Sequence, residues 1–203
     1  MKKFIIINQR IDKIGKFKEK RDNLDSRFTK LITEIGMIPL LIPNNRKFIK
    51  SFLSANIKIK GIILSPGGDP RKKDERSFVE DQLITYAVSK RLPLLGICRG
   101  AQKLNLYFGG KISKVNGHVR KNHRVFGKIL SNKIVKINSF HDYGITRKNL
   151  SKKFNVLLSA SDGVIESFCN KKGNLLGIMW HPERYPKIRN FEKKLIKKFF
   201  KCN

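Results

Sequence analysis

The stretch Leu94-Leu95-Gly96-Ile97-Cys98-Arg99-Gly100-Ala101-Gln102 runs from apolar residues into a helix start, with a cysteine at the junction. Residues 92–97 read as a buried strand and residues 99–108 as a helix closed by Gly109-Gly110. A Gly-x-Cys-x-Gly turn between strand and helix has the form of a nucleophile elbow. Such a turn holds its central residue in a strained conformation and lifts the side chain above the sheet. Gly96 and Gly100 leave room for it, because a Cβ at either position would crowd the turn or the helix packing. The helix N-terminus favours a thiolate and offers N–H groups to developing negative charge. Cys98 is therefore the candidate nucleophile.

Outward from this turn, short apolar runs alternate with helix-length polar stretches. Residues 4–7, 38–42 and 62–64 read as strands, and residues 22–35 and 74–90 as amphipathic helices. Strands alternating with helices imply an α/β fold whose parallel sheet is covered on both faces. The second half is richer in short strands, at residues 134–138, 156–160, 164–168 and 175–180, and ends in a basic helix over 188–200. No repeat or linker interrupts the 203 residues, so one domain spanning 1–203 is expected.

The formal charge of +30 suggests a polyanion partner, but Lys (32) outnumbers Arg (13) and the basic residues are scattered rather than clustered. Nucleic-acid readers concentrate arginine on one face among aromatics, so compositional bias is the preferred account and no nucleic-acid partner is expected. No run approaches the length of a membrane span, and Phe4–Ile7 is too short for a signal-peptide core. Three dispersed cysteines form no disulfide framework or zinc spacing, which favours a cytoplasmic location.

Two further segments complete a site. Gly177-Ile178-Met179-Trp180-His181-Pro182-Glu183 places a histidine just past a strand, with a carboxylate two residues on to orient it. Ser65-Pro66-Gly67-Gly68-Asp69 follows another strand, and its paired glycines can present backbone N–H groups to a cleft. Gly68 and the Arg99 amide are the expected oxyanion donors, with Gly68 favoured over Gly67.

Gly-Ile-Cys-Arg-Gly-x-Gln, Trp-His-Pro-Glu and Pro-Gly-Gly-Asp resemble the class I glutamine amidotransferase superfamily over essentially the whole chain. The resemblance implies a flavodoxin-like fold, with a mostly parallel sheet, helices on both faces and a small antiparallel extension. It is strongest to the γ-glutamyl hydrolase branch, on three features: Arg99 after the nucleophile, the Asp69-Pro70…Asp74-Glu75-Arg76…Phe78-x-Glu80 segment, and Asn138-Ser139-Phe140-His141. By that resemblance Cys98, His181 and Glu183 form a triad, and Gln102, Ser139, Phe140 and His141 hold a γ-glutamyl head group. The chain departs from the branch at Asp142-Tyr143, where His-Gln is common.

Gln9-Arg10-Ile11-Asp12 and Glu19-x-Arg21-Asp22-x-Leu24-Asp25 resemble a subgroup from surface-polysaccharide gene clusters. The resemblance implies a γ-glutamyl-linked cytidine-diphosphate amidate as substrate. The loop expected at 117–124 offers His118, Arg120, His123 and Arg124 as candidate leaving-group contacts. Its histidine pair alone is weak evidence for a metal, and neither metal nor organic cofactor is expected. Two alternatives stay open: a glutaminase subunit feeding ammonia to a separate synthetase, and a non-enzymatic basic nucleic-acid-binding protein. Oligomeric state is not readable from the sequence.

Overall fold

Phe4-Ile5-Ile6-Ile7 forms a strand apolar on both faces: Ile5 and Ile7 join one hydrophobic core and Ile6 the other. A continuous apolar run is what a strand covered on both sides requires. The computed structural model describes residues 3–55, 57–127 and 135–201. The first half runs β1 (Phe4–Asn8), β2 (Arg10–Ile14), β3 (Glu19–Asn23), α1 (Arg27–Glu34), β4 (Ile38–Ile42), α2 (Arg46–Ser54), β5 (Ile59–Leu64) and α3 (Glu75–Ser89). It continues with β6 (Leu94–Ile97), α4 (Arg99–Tyr107), β7 (Ser113–Lys114), β8 (Val119–Phe126) and β9 (Val135–Phe140). The chain then forms β10 (Tyr143–Gly144), β11 (Phe154–Ala160), β12 (Ile165–Asn170), β13 (Leu175–Ile178) and α5 (Asn190–Lys201).

Among the described residues, nine strands form one sheet in the order β4-β1-β5-β6-β13-β12-β11-β8-β9. Pairings from β4 through β13 are parallel, and those from β13 to β9 antiparallel. This is the expected flavodoxin-like α/β arrangement, with an antiparallel part that takes in β12, β11, β8 and β9. Helices α1 and α5 bury Phe28, Leu31, Ile32, Ile196 and Phe200 against one face. Helices α2, α3 and α4 bury Ile49, Val79, Leu83, Ile84, Ala101 and Leu104 against the other. No helix among the described residues is long and apolar enough to cross a membrane.

Several elements differ from the sequence reading. The helix expected over 22–35 begins only at Arg27, because Asp22 and Asn23 belong to the hairpin β2–β3. The Asp22 carboxylate there accepts hydrogen bonds from the Asn44 backbone and side-chain N–H groups at 2.9 and 2.6 Å. Helix α2, absent from the sequence reading, is capped by Asn45, whose side chain accepts from the Phe48 amide at 2.8 Å. The segment 117–124, read as a loop, is mostly β8, because it pairs with β9 from Val119↔Phe140 to Val125↔Val135. Ile134, placed at the start of an expected strand, lies outside the described residues.

The helix after Cys98 packs tightly on the sheet. A Cβ at Gly100 would stand 2.1 Å from the Leu64 carbonyl oxygen, and one at Gly96 would stand 2.6 Å from the Gly100 backbone. The obstacle is backbone in both cases and cannot rotate away. Gly100→Ala is therefore expected to cost at least about 2 kcal/mol by overpacking. Denaturant unfolding checks this, and an unchanged midpoint would show that α4 does not depend on this close approach.

Candidate active site

Cys98 sits between β6 and α4 at φ 50° and ψ −106°, a positive φ that L-residues rarely adopt. Its backbone N–H donates to the Ile178 carbonyl at 2.8 Å, tying the turn to the neighbouring strand β13. Ser65–Gly68 follows β5 and His181 follows β13, so all three segments meet at the carboxyl edge of the parallel strands. Sites of open α/β sheets lie along that edge. Cys98, His181, Glu183, Gly68, Arg99, Gln102, Phe140 and His141 all line one pocket of about 500 Å³.

The histidine is fixed from several directions. Its Nδ1 lies 2.7 Å from Glu183 Oε1. Its backbone N–H donates to Asn138 Oδ1 at 2.8 Å, while Asn138 Nδ2 donates to its carbonyl at 2.9 Å. Phe140 packs edge-on against the imidazole, with ring centroids 5.5 Å apart. With Nδ1 engaged by Glu183, Nε2 is the nitrogen left to face Cys98. Burial would lower the His181 pKa, but the contacts with Cys98 and then Glu183 outweigh it and push it up to about 9. That electrostatic arrangement favours the protonated form of His181.

The candidate oxyanion loop is shaped by buried charge. Arg76 donates to the carbonyls of Ser65, Pro66 and Gly67 at 2.7, 3.1 and 2.7 Å. Across a trans peptide the N–H opposes the C=O, so the Gly68 N–H points away from Arg76. Behind the loop Glu80, fully buried, accepts from Arg76 Nε at 3.1 Å, from Asn8 Nδ2 at 2.9 Å and from Arg99 Nη1. Burial and the adjacent Arg99 charge push Arg76 down to about 10 against the pull of Glu80, so it keeps its charge at neutral pH. Asn8 also accepts the Ser65 amide at 2.7 Å, closing the network onto the loop.

Some expected site residues are placed elsewhere. Ser139 is buried and donates to the His118 carbonyl at 2.6 Å, outside the pocket lining. His118 packs against both His123 and His141, and neither His118 nor His123 lines the pocket that holds Cys98. Arg120 and Arg124 are exposed and do not line the pocket. Gln102 does line it, with its Nε2 donating to the Tyr143 carbonyl at 2.6 Å. The half-buried Cys169 lies on β12 and does not line the pocket, and Cys202 is outside the described residues.

Sequence reasoning assigned no role to Asn138, Glu80, Arg10 or Arg184. The i,i+4 spacing of Arg76 and Glu80 was a usable signal. The pocket positions of Arg10 and Arg184 had none, since they depend on the β2–β3 hairpin and on the turn after Pro182.

The peptidase C26 family profile matches residues 5–183. The chain belongs to the peptidase C26 family. It is 34% identical over 203 residues to gamma-glutamyl-CDP-amidate hydrolase of Campylobacter jejuni, covering 97% of each chain. It is 30% identical over 181 residues to anthranilate synthase component 2 of Saccharolobus solfataricus, covering 80% of this chain and 87% of that one. The fold matches a glutamine amidotransferase structure from Thermotoga maritima with a TM-score of 0.65 at 14% identity, covering 90% of this chain and 77% of that one. This peptidase C26 protein is thus a hydrolase of C–N bonds within the glutamine amidotransferase-like superfamily.

Two outcomes test the electrostatics. The folded-state pKa of His181 is raised, so its stabilising contribution is complete below about 6.5 and fades as pH rises through about 9. Cys98→Ala removes the first of the contacts that raise it, and NMR titration of the His181 ring should then report a lower pKa; an unchanged value would show that Cys98 does not raise it. Glu80→Gln leaves two buried guanidinium groups short of a counter-charge and should cost about 3–5 kcal/mol in denaturant unfolding. A loss under about 1 kcal/mol would show that the network does not hold the loop.

Proposed function

We propose that this chain hydrolyses a γ-glutamyl amide whose leaving group carries phosphate, as in a γ-glutamyl nucleotide amidate. The observation that carries this reading is the convergence of Cys98, the Glu183-oriented His181 and the Gly68 loop on one pocket that also holds Arg10 and Arg184. The Campylobacter jejuni relative, similar over nearly the whole chain, supports the same substrate class.

In this reading the Cys98 thiolate attacks the γ-carbonyl carbon. The Gly68 and Arg99 amides stabilise the oxyanion, at roughly 3–4 kcal/mol per donor in comparable sites. The tetrahedral intermediate collapses with cleavage of the C–N bond, and protonated His181 gives its proton to the departing nitrogen. His181, now neutral, takes a proton from water as the water attacks the glutamyl thioester. Glutamate leaves and the thiolate is restored. Gln102, Phe140 and His141 face the glutamyl end.

The leaving group extends toward Arg10 and Arg184 rather than toward Arg120 and Arg124. Arg10 lies over the oxyanion loop, its Nη1 within 3.2 Å of where a Gly67 Cβ would stand, and its other contacts are to Asp12 at 2.7 and 2.9 Å. The Arg184 guanidinium stacks over Phe140 at 4.3 Å. Both are partly exposed and positioned for an incoming anion.

The test compares a γ-glutamyl nucleotide amidate, glutamine and a neutral γ-glutamyl anilide. Cys98→Ala should abolish glutamate release from each. Arg10→Ala and Arg184→Ala should each raise KM for the phosphate-bearing substrate about 10- to 150-fold, leaving the anilide nearly unchanged. Equal effects on both would refute the anionic leaving group. Turnover of glutamine alone would favour a glutaminase subunit.

A further inference from the structure

Three of the four histidines in the chain converge on a single carboxylate outside the catalytic triad. His118 Nδ1, His123 Nε2 and His141 Nε2 lie 3.3, 3.3 and 3.5 Å from Glu166 Oε1. Glu166 is fully buried, and His118 and His141 are nearly so. None of these four atoms has a partner of hydrogen-bond geometry. A charge-assisted hydrogen bond would draw a pair to about 2.7–2.9 Å. The observed spacing instead fits neighbouring ligands on one ion, since tetrahedral bonds of about 2.0–2.1 Å separate adjacent ligand atoms by about 3.3–3.4 Å. All four atoms lie within 4.8 Å of one another, so small side-chain rotations can close the set.

A further carboxylate orients the first ring. His118 Nε2 lies 2.7 Å from Asp162 Oδ2, and the other Asp162 oxygen accepts the Val164 amide at 3.1 Å. With its proton on Nε2, His118 turns a lone pair on Nδ1 toward Glu166. Carboxylate–histidine–metal relays have this form. His123, on β8, is the least buried ligand and gives an ion its way in.

We propose that His118, His123, His141 and Glu166 bind one divalent transition-metal ion of the zinc type. Imidazole-rich sets with a single carboxylate favour such ions over magnesium or calcium. The ion is structural: Glu166 on β12 and His123 on β8 are joined through it to His141, which with Phe140 lines the catalytic pocket. The Glu166 carbonyl also accepts the Met179 amide at 2.9 Å, two residues before His181. Metal binding therefore firms both sides of the catalytic pocket without touching the reacting atoms.

The test is cobalt titration of Cys98→Ala protein after chelator dialysis, the substitution removing the catalytic thiolate as a competing ligand. One equivalent of Co²⁺ should produce visible d–d absorption of a tetrahedral site, Zn²⁺ should displace it, and the melting temperature should rise with Zn²⁺. Adding His123→Ala should abolish this signal. Asp162→Asn, at a half-exposed position compatible with folding, should weaken binding about 10- to 100-fold. Absence of saturable cobalt absorption in the parent would overturn the proposal. So would Co²⁺ binding that Asp162→Asn leaves unchanged, whether or not His123→Ala folds.

Discussion

The positive φ at Cys98 is tolerable only because the backbone around it has nowhere else to go. β6 must end where α4 begins, and α4 must lie close enough for Gly100 to touch the Leu64 carbonyl. Those contacts, with the hydrogen bond from Cys98 N–H to Ile178, over-determine the turn. The same geometry puts the thiol at a helix N-terminus and at the mouth of the cleft. Position and reactivity thus share one cause, the close packing of a helix on two adjacent parallel strands.

Holding the proposed oxyanion loop against that turn requires buried charge. Glu80 alone would be costly to bury, and so would Arg76 or Arg99. Together with Asn8 they satisfy one another and direct the Arg76 fork onto three successive carbonyls. A hydrophobic replacement of the pair could be as stable. It could not orient the peptide between Gly67 and Gly68, so the network is better understood as a geometric device than as a source of stability.

Much of this was legible in the sequence because local signals agreed. Ile5-Ile6-Ile7 announced a strand buried on both faces, and Gly-Ile-Cys-Arg-Gly announced the turn. The expected triad needed only that β6 and β13 be neighbours, which a parallel α/β sheet supplies. The misreadings arose where tertiary pairing overrides local pattern. β2 and β3 are made of polar residues with little intrinsic strand preference, and they pair through cross-strand partners such as Asp12↔Arg21. β8 carries Arg, Lys, Asn and His on a largely exposed strand, so its composition looked like a loop. Arg120 sits at a bulge in β8 with a positive φ, and no residue of that strand lines the pocket, so neither Arg120 nor Arg124 reaches the site.

Strand pairing also explains why the histidines could not be understood from spacing. His118 stands just before β8, His123 within it, His141 just after β9 and Glu166 on β12. Only the antiparallel register, which sets His123 opposite Ile137 and leads from Phe140 to His141, brings them around one point. The parallel half of the sheet carries Cys98, the Gly67–Gly68 loop and His181, the proposed nucleophile, oxyanion loop and base. The antiparallel half supplies Asn138, which grips the His181 backbone, and Phe140, which packs on its ring. The proposed base, carried by one half, is therefore held in place by residues of the other, and the rigidity of the antiparallel half becomes a condition for the alignment of His181 with Cys98.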